Sequence, residues 1–495
     1  MSKRQRLGIL GVLAFAVTAA WGQESSTLPD PGAATQQQSP VPAYGDENTT
    51  PISVYPPLSG LDQPGLEPHA APLSYIQPGA TVSESINSNV ADSLGGSSAR
   101  SITRGLGSLT LERLWSHYDL ALQYMGGAAY YDARGLGWKL VQQMDLDQKV
   151  TWKRGELSVR DSFSYLPEGN FGAAYGSLGS QGIASLGNTA FGSFWGGTTL
   201  GGLGEAPRLM NLSLVDVSEN LTPKSAVTAT AGYAITHFYG SDLTTGISFI
   251  GSSQISAQGG YNRALSAHTQ VALVYGYQAF DFSVLGTAFH SHVIQGMYGH
   301  RISGRMDWLI GVGPQITFLD NQSQVCSVAG VSPQFCGVFG GTLSTENFKS
   351  TRIGVAGRAR LRYRFPKTML DLTYERYETS GSGLFAGAQT DLARLSAERP
   401  LSRVWSAFAD LGYSRNSRLQ PSSGGVQANT YSYGFVGVGV HRAFGRNFHG
   451  FASYQFNEIS FDTAVCGLNA TCGRISNRHV ATIGLDWTPR PIRID

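Results

Sequence analysis

Apolar and polar residues alternate with a period of two along most of the chain from residue 80 onward. Between Arg352 and Phe365, one face carries Arg358, Arg360, Arg362 and Arg364, and the other carries Ile353, Val355, Ala359, Leu361, Tyr363 and Phe365. Side chains on a strand point alternately to opposite faces, so this stretch predicts a strand with a basic side and an apolar side. The rhythm recurs where Val227, Ala229, Ala231, Tyr233 and Ile235 oppose Thr228, Thr230 and Thr236. Val271, Leu273, Tyr275 and Tyr277 alternate with Gln270 and Gln278, and Met306, Trp308, Ile310 and Val312 with Arg305, Asp307, Gly311 and Gly313. Between Tyr431 and Val440 the apolar phase moves from odd to even positions near Phe435, which predicts a bulge.

Turn formers punctuate this pattern. Short turns are expected at Ser116-His117, Lys153-Arg154-Gly155, Glu219 to Lys224, Ala264 to His268, Ser303-Gly304, Pro366-Lys367, Pro400 to Ser402 and Gly445-Arg446. Longer connections fall between them, at Pro167 to Pro207, Asp320 to Asn347, Ser417 to Ala428 and Asp462 to Gly473. Alternating short and long connections between strands of ten or more residues are the mark of an up-and-down barrel. A propeller would repeat at about 40 residues, and no such repeat occurs. About seventeen strands fit between Leu106 and Trp487, and an even count with both ends on one side requires one more. Ala80 to Val90 supplies it, giving about eighteen strands, with sixteen as the alternative.

Composition agrees with a wall that is apolar outside. Charged residues make up 14% of the chain, against roughly a quarter in soluble domains. Glycine reaches 62 residues, beside 22 Tyr, 23 Phe and 8 Trp. Trp138, Trp152, Trp405 and Trp487 stand at strand ends, as interfacial girdles require. At the N-terminus, Lys3, Arg4 and Arg6 precede an apolar run from Leu7 to Thr18 and a small-x-small site at Ala20-Trp21-Gly22, so residues 1–22 read as a cleaved signal peptide. Without those three bases, 33 basic residues face 34 acidic ones, and nucleic acid is not an indicated partner. Residues 23–79, with eleven prolines and the run Gln36-Gln37-Gln38, read as a disordered periplasmic tether, and residues 80–495 as the barrel.

The candidate chemistry is sparse. Cys326/Cys336 and Cys466/Cys472 each lie within one expected loop, and an oxidising compartment makes each pair a disulfide clasp. Their spacing is wrong for a metal site. His290-Ser-His292 sets two imidazoles on one strand face, but no carboxylate motif accompanies them, so a structural or lumen-lining role is expected. The chain offers no nucleophile with a base, no phosphate loop and no cofactor motif, and it is not expected to be an enzyme.

Thr81-Val-Ser-Glu-Ser-Ile-Asn-Ser-Asn-Val90, opening a barrel behind a Pro-rich leader, resembles the first strand of β-barrel porins of the "porin 2" type. Asn87, Ser88 and Asn89 share its polar, Asn-ending character, while Ile86 replaces a Tyr and the Asp is missing. The resemblance implies an outer-membrane protein associated with exopolysaccharide loci. Thr482-Ile-Gly-Leu-Asp-Trp487 resembles the early part of a barrel-assembly signal, although Pro489, Pro491 and Asp495 follow it.

The expectation is therefore all-β: an antiparallel transmembrane barrel in the outer membrane of a Gram-negative bacterium, touching lipid and the barrel-assembly machinery. Its function would be passive diffusion of small solutes, with saccharides or exopolysaccharide export as finer readings. The alternative is an occluded barrel acting through its surface loops. A two-residue turn at Pro366-Lys367 sets Arg362 against Asp371 and Arg358 against Glu375, leaving Arg360 and Arg364 without an opposed acid. Those four arginines form the candidate lumen-lining ladder. Phe171, Tyr175, Phe191, Phe194 and Trp195, in the longest loop, are the candidate constriction aromatics.

Overall fold

The computed structural model describes residues 74–88, 99–132, 137–166, 208–239, 250–282, 286–328, 336–381, 383–420, 428–466 and 472–494. Strands β1 to β6 run Tyr75–Asn87, Arg100–Leu114, Tyr118–Tyr131, Gly137–Trp152, Gly155–Leu166 and Arg208–Thr222. β7 to β12 run Ser225–Phe238, Ser252–Ser266, Thr269–Phe282, Thr287–Ser303, Met306–Cys326 and Leu343–Arg364. β13 to β18 run Met369–Thr379, Ala388–Pro400, Trp405–Arg418, Thr430–Phe444, Phe448–Cys466 and Cys472–Trp487, and a two-residue β19 covers Ile492–Arg493. Each long strand pairs antiparallel with the next, and β1 pairs with both β2 and β18. The sheet thereby closes into an eighteen-stranded barrel, and closure leaves no strand edge running the length of the wall.

The expected turns lie where the sequence puts them. β2 and β3 join through 115–117, β4 and β5 through 153–154, β12 and β13 through 365–368, and β16 and β17 through 445–447. Gly445 has φ +75°, a conformation that glycine adopts without a Cβ clash. These connections define a short-turn rim, and the long connections define the opposite one.

Two details differ from expectation. The first strand begins at Tyr75, five residues before the expected start at Ala80. Pro78 is tolerated inside it because β1 meets β18 only from Ala80 onward, so no neighbour on that side needs the missing N–H. The tail after β18 returns to this stretch: Ile492 and Arg493 pair with Ile76 and Tyr75, and Gln77 Nε2 donates to the Pro489 carbonyl at 2.9 Å. The predicted bulge near Phe435 is absent, since β16 keeps one continuous register with both neighbours. What changes there is the chemistry of the two faces. Tyr431, Tyr433 and Phe435 are buried on the inner side, while Val436 and Val438 are exposed on the outer one.

The outer face is apolar and open: Ile353 is 76% exposed, Ile483 66% and Leu273 61%. Buried polar side chains such as Thr228, Thr230, Gln270 and Gln278 alternate with it on the inner face. Burying polar groups inward and exposing apolar ones inverts the soluble pattern and suits a lipid surround. Among the described residues no helix is long and apolar enough to cross a membrane. β11 and β12 stand taller than the rest. β12 pairs with β13 only from Gly357 to Arg364, whereas it pairs with β11 along its whole length, and a Cys326–Cys336 disulfide ties the end of this hairpin.

Candidate functional site: the barrel lumen

The arginine strip lies on the inner face of β12, and its register with β13 sets Arg362 opposite Asp371, Arg358 opposite Glu375 and Arg360 opposite Thr373. The ion pairs of Arg360 and Arg362 do not follow those rungs. Arg360 reaches diagonally to Asp371, with Nε at 3.0 and 3.2 Å and Nη2 at 2.5 Å from its carboxylate oxygens. Arg362 turns the other way, to Asp307 on β11, at 3.0 to 3.1 Å. A guanidinium on a four-atom stem spans a diagonal as readily as a rung, and both contacts take the forked geometry that favours carboxylates. Arg360, expected to lack an acid, is therefore paired, and Arg362 is paired with a different one. Arg364 makes no ion pair among the described residues, and its Nε is buried without a hydrogen-bond partner. Arg394 with Asp410, at 2.5 Å, continues the lattice onto β14 and β15.

Charge is unevenly distributed around the wall. In the half nearer the short turns, β2 to β6 direct Glu112, Asp119, Asp145, Asp147, Glu156 and Asp216 inward. Against them stand Arg160, paired with Asp216, and Lys149, 2.8 Å from Glu156. β4 and β13 are nine strands apart in a ring of eighteen, so this acidic sector faces the basic one across the lumen. Between them β7 to β9 present a neutral inner surface of Thr228, Thr230, Gln254, Ser256, Gln258, Asn262, Gln270 and Gln278. Fixed charges of opposite sign on facing walls orient polar solutes without excluding neutral ones.

Among the described residues, the segment that enters the lumen is the β13–β14 connection. After Arg376, β13 leaves β12 and turns inward, so Tyr377, Glu378, Thr379 and Ser380 are buried in succession, breaking the alternation. The connection to β14 then crosses the lumen. Leu384 and Phe385 pack with Tyr431, Tyr433, Phe435, Ile459 and Phe461 on the inner wall of β16 and β17. Ala386, with Leu419, packs against Phe280, Phe282, Phe289 and Leu319 of β9 to β11. Backbone bonds fix the crossing: Ile250 N–H donates to the Gly383 carbonyl at 2.8 Å and Leu419 N–H to that of Gly387 at 3.2 Å. Gly381, Gly383 and Gly387 have φ of +77°, +79° and +89°. At Gly387 a Cβ would also lie 2.6 Å from Phe289 Cε1. The glycine spacing of Ser380-Gly-Ser-Gly-Leu-Phe-Ala-Gly387 was the available signal.

Other candidates fall elsewhere. His290 and His292 lie on the outer face, not in the lumen. His290 stacks on Phe318 with centroids 5.0 Å apart, and His292 Nδ1 is 2.8 Å from the Tyr275 hydroxyl, so they belong to an external aromatic band. Phe171, Tyr175, Phe191, Phe194 and Trp195 lie outside the described residues. Cys466 and Cys472 are ladder partners on β17 and β18, and their side chains lie outside the described residues. No group of histidine, cysteine or carboxylate side chains suited to a metal occurs among the described residues.

No protein-family model matches the chain, and no curated protein does. Solved structures that it resembles include OccK2 (OpdF) of Pseudomonas aeruginosa, with 10% identity over 84% of this chain and 98% of that one at a TM-score of 0.39. They also include the open form of the ferric-catecholate import receptor Fiu of E. coli, with 10% identity over 83% of this chain and 81% of that one at 0.39. OmpT of Vibrio cholerae shares 10% identity over 84% and 98% of the two chains at 0.33. At these scores the likeness carries no function across to this chain.

Proposed function

We propose that the chain is a porin-like channel of a Gram-negative outer membrane, through whose lumen small solutes diffuse passively. The observation that supports this most directly is a closed eighteen-stranded barrel with an apolar exterior and a polar, charged interior. In this reading the signal peptide delivers the chain across the inner membrane, the tether stays in the periplasm, and the short turns face it. The arginine strip of Arg358, Arg360, Arg362 and Arg364, with Asp371 and Glu375, sets the local field of one wall. The uncharged amide and hydroxyl surface of β7 to β9 is consistent with saccharides among the solutes, and the exopolysaccharide association is the wider form of that reading. The test is planar-bilayer recording of the full-length protein. Discrete conductance steps are expected, and their absence at every ionic strength would sink the proposal.

A second reading draws on the segment that crosses the lumen between Ser380 and Gly387. A barrel so partitioned could act through the tall β11–β12 hairpin and its disulfide while passing nothing. Loss of surface binding on deleting residues 327–342, together with a silent bilayer, would favour it.

A further inference from the structure

The in-folded β13–β14 tip rests on one polar row of the wall. Gln278, Ser291, Thr317 and Arg352 are successive ladder partners across β9, β10, β11 and β12. Thr317 Oγ1 donates to Glu378 Oε1, and Gln278 Nε2 donates to the Glu378 carbonyl at 3.5 Å. At the end of the row, Arg352 Nη2 donates to Gln389 Oε1 at 2.8 Å. Glu378 is 3% exposed, yet its Oε2 is buried without a hydrogen-bond partner. A carboxylate taken from water and only half satisfied opposes its own burial. The contact that pins the tip therefore carries a desolvation cost alongside its hydrogen bond. Left-handed glycines at 381, 383 and 387 allow the chain to bend sharply at both ends of the crossing.

We propose that the β13–β14 tip is a gate latched through Glu378, and that the cradle it vacates on opening, formed by Gln278, Ser291, Thr317 and Arg352, takes up a solute carboxylate. The row offers hydroxyl and amide donors beside one fixed cation, the donor set a carboxylate needs. Glu378 is the protein's own occupant of that site. A soluble carboxylate that fills it when the tip is out holds the gate open, because it binds one of the two states and not the other. This inference rests on the channel reading.

The experiment is single-channel recording of the full-length protein in sodium chloride and in sodium acetate at equal ionic strength, scored as the fraction of time in the higher conductance level. For the unaltered protein, acetate is expected to raise that fraction severalfold over chloride. Glu378→Ala should stay at the higher level in both salts. Glu378→Gln, which keeps an acceptor for Thr317 and removes the buried charge, should lengthen the lower level. Thr317→Val and Arg352→Gln should each blunt the acetate response. Equal open fractions in the two salts, or levels indifferent to Glu378→Ala, overturn the gate while leaving a channel. Silence of the unaltered protein and of Glu378→Ala alike overturns the channel reading itself.

Discussion

Arg362 holds Asp307 on β11 through three contacts of 3.0 to 3.1 Å, although Asp371 stands directly across from it on β13. Asp371 is thereby left for Arg360, so the strip is neutralised by a rung from Arg362 to Asp307 and a diagonal from Arg360 to Asp371, with Arg364 at its end. In the channel reading, Arg364→Gln removes a cation that no ion pair among the described residues offsets. It should shift the reversal potential in a salt gradient toward cation selectivity, and no shift would place Arg364 outside the conducting path.

The diagonal pairing makes a second, separable prediction. Replacing both Arg360 and Asp371 by their neutral amide counterparts, Arg360→Gln with Asp371→Asn, deletes a pair of no net charge. The reversal potential should move less than with Arg364→Gln alone, while Arg360→Gln by itself, which strands Asp371, should move it toward cations. Thermal stability in detergent should fall by only about 0–1 kcal/mol for the double change, as for partly exposed pairs elsewhere. A double variant as cation-shifted as the Arg360 single would show that Asp371 does not balance Arg360.

Gly387 tests whether the in-folded tip narrows the path. Its φ of +89° and the 2.6 Å approach of Phe289 leave no room for a Cβ. Gly387→Ala should cost about 1–2 kcal/mol at the tip, the usual penalty for an L-residue in left-handed backbone, with the ring clash added. That energy is concentrated on one short crossing, so the tip should leave the lumen before the barrel loses stability. A larger unitary conductance with unchanged thermal unfolding is the expected result. An unchanged conductance would mean that solutes pass the tip by another route.

The barrel was legible because closure against lipid imposes a period-two pattern that the chain cannot hide. The turn at Pro366-Lys367, the inward face of Arg358 to Arg364 and the need for a strand before Leu106 all follow from alternation and an even count. Partnership was harder. Arg362 has two neighbouring strands, and a register drawn only toward β13 misses Asp307, which is 55 residues away in the chain. The phase change at Phe435 has two physical explanations, an extra residue or an apolar patch inside the barrel, and alternation does not distinguish them. The in-folded tip is hard to read from sequence because its connection is short, and loop length points instead to the stretch after Pro167, which lies outside the described residues. Its glycines were visible in the sequence. The inner aromatic walls that receive Leu384 and Phe385 come from β16 and β17, which only the closed topology brings within reach.

Two neighbouring positions test the assignment of faces. Val438 is 44% exposed on the outer side of β16, and Gly437 beside it faces the lumen opposite Asp410. A Cβ at Gly437 would meet nothing closer than 3.8 Å, so a side chain can be added there without moving the wall. Val438→Arg puts a guanidinium against lipid, which costs about 2–4 kcal/mol near the bilayer midplane. Gly437→Arg puts the same group in an aqueous lumen beside the Arg394–Asp410 pair. Folding into lipid vesicles, followed by urea titration, should therefore show a marked loss for Val438→Arg and little for Gly437→Arg. Equal losses would mean that the lumen here is dry, and a larger loss at Gly437 would reverse the inside and outside of the barrel.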